Sequence, residues 1–115
     1  VPMRTQAAEM TRESIYRFLH QELPYTTTVE TTDWKTLKYG SARVEQTIYV
    51  ERDGQKKIVL GKGGETIKKI SSAARHGIEE MAGHRIHLFL FVKVRENWES
   101  DPERYREMGL PFPKS

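Results

Sequence analysis

Lys56-Lys57-Ile58-Val59-Leu60-Gly61-Lys62-Gly63-Gly64-Glu65-Thr66-Ile67-Lys68-Lys69-Ile70 is the stretch around which the chain is organised. A short apolar run enters a glycine-rich turn, and an amphipathic segment leaves it. Three glycines within four residues let the backbone approach a ligand where any Cβ would obstruct it. A helix starting directly after the turn aims its unpaired N–H groups and positive dipole end at whatever lies over the turn. With lysines on both sides and one inside, the design suits an anionic backbone, phosphodiester above all. The plainer alternative is a helix–turn–helix corner, with glycines for geometry and lysines for solubility.

Length and composition bound the choice. A chain of 115 residues holds one modest domain with a core, and 30% charged against 37% apolar residues is a globular balance. No apolar run approaches the roughly 20 residues of a membrane-spanning helix, and no signal peptide is visible. Without cysteine there is no disulfide frame and no thiolate metal site, which fits a reducing cytoplasm. The chain opens on Val1 rather than Met, so a fragment of a longer protein is expected. Charge is concentrated. Between Gln55 and Arg75 six basic residues face Glu65 alone, a net +5, whereas the whole chain is +3. A local basic face of this kind reads as a binding surface, with a merely solvated face as the alternative.

Taken in order, residues 5–20 read as a helix capped by Thr5, with Ala8, Ile15 and Leu19 in one apolar stripe and Phe18 beside it. Leu23-Pro24 ends it. Residues 25–32 read as a strand, 33–42 as a loop containing Gly40, and 43–52 as a second, antiparallel strand. In that second strand Val44, Gln46, Ile48 and Val50 share one side. Asp53-Gly54 reads as a turn, and a short helix over 55–60 delivers the glycines. Ile67, Ile70, Ala74, Ile78 and Met81 keep helical spacing up to a stop at Gly83. Residues 86–94 form the third strand, with Ile86, Leu88, Leu90 and Val92 facing one way and His87, Phe89, Phe91 and Lys93 the other. Ser100-Asp101-Pro102-Glu103 starts a last helix running to about Met108, before a tail from Leu110. The order α-β-β-α-α-β plus a C-terminal helix predicts a two-layer α+β domain, a three-stranded sheet with helices on one face.

The apolar run, the G-x-x-G of Gly61-Lys62-Gly63-Gly64, and Ile67 three residues on resemble the signature of KH domains. Together with the element order, the resemblance is to the type II KH arrangement. In detail, His20-Gln21-Glu22-Leu23-Pro24-Tyr25 resembles the entry of the KH domain at the C-terminus of bacterial ribosome-assembly GTPases. So do Glu51-Arg52-Asp53-Gly54-Gln55-Lys56-Lys57-Ile58-Val59-Leu60-Gly61, Ile67-Lys68-Lys69-Ile70, and the strand His87-Leu88-Phe89-Leu90-Phe91-Val92-Lys93-Val94 followed by Trp98. The likeness runs from about Glu13 to Gly109. It departs from the family pattern at Gly63, where a lysine is usual, at Phe91, where a tryptophan is usual, and at Ser71-Ser72, where a glycine is common. The departure at Gly63 puts the phosphate contacts of the loop in question.

The resemblance implies a KH domain over 1–98 and a C-terminal helix and tail over 99–115 packed on it. It also implies a GTPase domain upstream, outside this fragment. The expected ligand is single-stranded RNA, the 3′ end of small-subunit (16S) ribosomal RNA, during assembly of the 30S subunit. GTP and Mg²⁺ belong to the missing upstream domain; no cofactor is expected in this stretch. The other partners implied are the upstream GTPase domain itself and, for the parent protein, a peripheral contact with the membrane. The expected RNA-binding set is Gly61, Lys62, Gly63 and Gly64 with Thr66 at the phosphates, Ile58, Leu60 and Ile67 with the backbone of Ile86 to Leu88 lining a groove for bases, and Lys57, Lys68 and Lys69 nearby. As a helical stripe, Ile67, Ile70, Ala74 and Ile78 read as core in preference to contact. Phe89 and Phe91 are read as buried under the C-terminal helix, Trp98 and Phe112, or against the GTPase domain, with base stacking as the other reading.

An enzyme is not expected in these residues. His20, His76, His84 and His87 fall on different elements, and His84-x-x-His87 spans a turn. There is no thiol and no G-x-S-x-G, and the adjacent Glu79-Glu80 point apart on a helix. A G-x-x-x-x-G-K-[S/T] is also missing, since Gly61-Lys62 is followed by Gly63 and position 56 is Lys. The competing function is a KH-shaped docking domain that uses the sheet face to hold the GTPase domain or a ribosomal protein. A KH domain from a ribosomal protein or a transcription elongation factor fits less well with the entry at His20 and the strand end at Val94.

Overall fold

A computed structural model describes residues 2–23 and 27–95. Helix α1 (Met3–Leu19) is followed by strand β1 (Thr28–Thr36), a short helical turn (Lys38–Gly40) and strand β2 (Ala42–Val50). Helix α2 (Asp53–Leu60), a tight turn (Lys62–Gly64), helix α3 (Glu65–Ala82) and strand β3 (Ile86–Val94) complete it. The sheet order is β1-β2-β3, with β1 antiparallel and β3 parallel to the central β2. This is the expected α+β order. The C-terminal helix expected over 101–108, together with Trp98 and Phe112, lies outside the described residues.

Boundaries moved for identifiable reasons. Helix α1 begins two residues before Thr5, directly after Pro2, and no side-chain cap closes its start. Proline suits the position because its fixed φ is already near-helical and a helix's first N–H groups have no intrahelical partner anyway. Strand β1 continues to Thr36, through residues read from sequence as loop. A bulge between Thr31 and Asp33 resets the alternation. Asp33 thus pairs with Glu45 on the outer face, and Trp34 returns to the helix side opposite Val44. Asp53-Gly54 is the first turn of α2 rather than a separate bend. The Gln55 side-chain oxygen accepts the Glu51 and Arg52 N–H groups at 2.8 and 3.2 Å, which secures that start.

The helices cover one face of the sheet. Ile15 and Leu19 of α1, Val59 of α2 and Ile70 of α3 pack on Ile48, Val50 and Val92. A second cluster joins Ala7, Val44, Ile78 and Ile86, with Trp34 and Leu88 at its margin. Gln46 sits between the two along β2 and is fully buried. Its amide is matched on every side: the Thr11 hydroxyl donates to Oε1, and Nε2 donates to the Thr31 hydroxyl at 3.2 Å. Thr31 in turn donates to the Arg4 carbonyl at 2.7 Å. A polar group buried at this depth is tolerable only when so satisfied, and the network fixes α1 against both β1 and β2.

Candidate nucleic-acid interface

The glycine turn is built by backbone geometry that side chains would refuse. Gly61 has φ +72° and ψ 170°, and a Cβ there would fall 2.2 Å from the Thr66 hydroxyl oxygen and 2.8 Å from the Thr66 nitrogen. Gly63 and Gly64 follow at φ +62° and +75°. Gly61 N–H donates to the Lys57 carbonyl at 2.9 Å and so closes α2; Gly64 N–H donates back to the Gly61 carbonyl at 3.1 Å. The chain therefore reverses within four residues and enters α3, whose first N–H, that of Glu65, donates back to the Lys62 carbonyl; the positive end of the helix dipole lies at the turn. Lys62 and Gly63 at the tip are exposed.

Beside the turn, α3 and β3 border an open groove of about 430 Å³. Lys68, Ser71, Ser72 and Arg75 line its helix side, at the spacing of one helical face. Residues Ile86 to Phe89 line the other side. Among the described residues β3 pairs with β2 alone, so its other edge faces the groove. Glu79 holds the two walls together. Its carboxylate accepts the Ile86 N–H at 2.9 Å and the Arg75 guanidinium at 2.8 Å. The Ile86 hydrogen bond holds the Glu79 carboxyl below its ordinary value of 4.5; partial burial opposes this, and the Arg75 charge reinforces it.

Of the residues singled out in the sequence, Gly61, Lys62, Gly63 and Gly64 form the turn, and Thr66 packs beneath Gly61. Lys68 lies on the groove. Lys69 reaches Glu65 at 4.0 Å, and Lys57 is exposed on α2. Ile58, Leu60 and Ile67 are half-buried against the first core cluster together with Leu90, rather than along the open groove itself. Sequence reasoning missed Arg75 and His87 as groove residues, and treated Ser71 and Ser72 only as a departure from pattern. Their signal was available: Lys68, Ser71, Ser72 and Arg75 recur at i, i+3, i+4 and i+7. Phe89 and Phe91, read as buried, are 43% and 48% exposed. The residues expected to cover them lie outside those described.

A glycine clamp between two helices beside the open edge of a three-stranded sheet defines a KH domain. The KH-domain family model matches residues 22–99, and the chain belongs to that family. It is 68% identical over 113 residues to GTPase Era of Afipia carboxidovorans, covering 98% of this chain and 37% of that protein. To GTPase Era of Rhizobium meliloti it is 66% identical over 114 residues, covering 99% and 36%. Among solved structures it resembles Era in complex with MgGDPNP and nucleotides 1506–1542 of 16S ribosomal RNA, at TM-score 0.81 and 32% identity over 95% of this chain and 37% of that one. The same figures hold for a single-substitution variant of Aquifex aeolicus Era bound to GDP and AlF₄⁻. The chain thus spans a little over a third of the length of the relatives it matches.

Proposed function

We propose that this KH domain binds single-stranded RNA, the 3′ end of 16S ribosomal RNA, within an Era-like GTPase that acts in the cytoplasm on the assembling 30S subunit. One observation carries the reading: the Gly61–Gly64 turn brings bare backbone and Lys62 to the N-terminus of α3, the helix whose Lys68 and Arg75 line the groove. Phosphates meet the turn, where N–H groups and Lys62 position the strand without reading its sequence. Bases splay into the groove, where the outer edge of Ile86 to Leu88 offers its remaining backbone groups to their Watson–Crick edges, the Ile86 N–H being held by Glu79. The bound RNA of the Era complex supports this choice of ligand. In this reading the stretch binds and does not catalyse, and GTP and Mg²⁺ are held by the rest of the protein.

Amide chemical shifts followed during titration with an RNA of the 16S 3′-end sequence test the reading. The largest changes are expected at Lys62, Gly63, Gly64 and along Ile86 to Leu88. Changes confined to α1 and β1 would overturn it.

A further inference from the structure

Beyond the groove, and resting on the reading just given, we propose that the outer face of β3 is a second RNA contact, a stacking platform on which Phe89 and Phe91 take bases of the strand as it leaves the groove. Three observations place RNA there. The first is exposure: Phe89 and Phe91 stand two residues apart on the same face of an edge strand, 43% and 48% exposed. Large apolar rings grouped on a surface mark a contact site.

The second observation is continuity. Phe89 and His87 line the groove along with Lys68 and Arg75. Phe91 follows Phe89 on the same face of β3, so a strand leaving the groove past Phe89 meets Phe91 next. The third is charge. Strand β3 carries Lys93 and no carboxylate, and Arg95 follows directly after it. The Arg43 guanidinium lies 4.4 Å from the Phe89 ring centre, and that of Arg95 lies 3.6 Å from the Tyr49 ring centre. Of the acids on this face, Glu30 and Asp33 are on β1 at the far edge, and Glu45, which pairs opposite Phe89, is neutralised by Arg43 at 2.9 Å. The β3 half of the face is therefore cationic and aromatic, a combination that suits a single-stranded polyanion with stackable bases. Stacking is tolerant of sequence, so the platform adds affinity and length preference while the groove supplies selectivity.

The test compares two RNAs on this chain: a short one that fills only the groove, and one extended at both ends. Wild type, Phe91→Ala and Phe91→Leu are measured by fluorescence anisotropy, with melting curves to confirm folding; Phe91 lies outside the groove lining. The extended RNA is expected to bind wild type more tightly than the short one. Phe91→Ala loses about tenfold on the extended RNA and nothing on the short one. Phe91→Leu, which keeps bulk without a π-face, behaves like the alanine. If all variants keep the length advantage, the platform is wrong and the face serves a protein partner or residues 96–115 of this chain. Failure of the groove reading looks different: the short RNA then does not bind wild type, while the aromatic variants still weaken the extended one.

Discussion

Gly61 and Thr66 are in mutual contact through a space no side chain can share: a Cβ on Gly61 would lie 2.2 Å from Thr66 Oγ1. The reversal from α2 into α3 depends on that approach. Gly61→Ala is expected to lose about 2 kcal/mol of stability, a fall in Tm of roughly 10 °C. Gly63→Ala, at φ +62° but with nothing within 4 Å of its Cβ, is expected to lose only about 1 kcal/mol. Thermal melts of the two variants check the order.

The buried amide of Gln46 makes a second prediction. Gln46→Leu leaves the Thr11 hydroxyl only the Ala7 carbonyl at 3.4 Å in the core and is expected to lose about 2 kcal/mol. Thr11→Val combined with Gln46→Leu removes both partners and is expected to recover most of it. Urea unfolding of the two single variants and the double variant gives the coupling directly.

Glu79 ties stability to pH. Its carboxyl titrates below 4.5 in the folded chain, so its contribution is present above the unfolded value and lost as pH falls through the lowered folded one. Glu79→Gln keeps an acceptor for the Ile86 N–H but loses the charge facing Arg75. It is expected to be less stable than wild type at neutral pH and to converge with it in acid. Denaturant midpoints across pH show this. A constant gap at every pH would mean that the charge contributes nothing.

Most of the fold was legible because its signals are local. The stripe from Ile67 to Met81, the alternation of β2 and β3, and the glycines after Leu60 each specify their own element. The bulge at Thr32 was not legible, because only pairing with Glu45 reveals that the alternation resumes at Trp34. The site divided in the same way. The turn can be read from Gly61 to Gly64, but Arg75 and His87 become groove residues only when parallel pairing brings β3 beside α3. Phe89 and Phe91 alternate out of the core as the pattern requires, and alternation cannot say what meets them.

The most direct test of the central claim is binding of a single-stranded RNA of the 16S 3′-end sequence across a salt series, with a Lys62→Asp, Gly63→Asp double variant alongside. Neither position contacts the core, and both chains should show the same far-UV spectrum. Wild type is expected to bind with an affinity that falls as salt rises, with a logarithmic slope of about −2 for three phosphate contacts. The variant is expected to lose at least about tenfold, with a shallower slope. Equal affinity and equal slope for the two proteins would contradict the account, because the turn would then play no part in holding RNA.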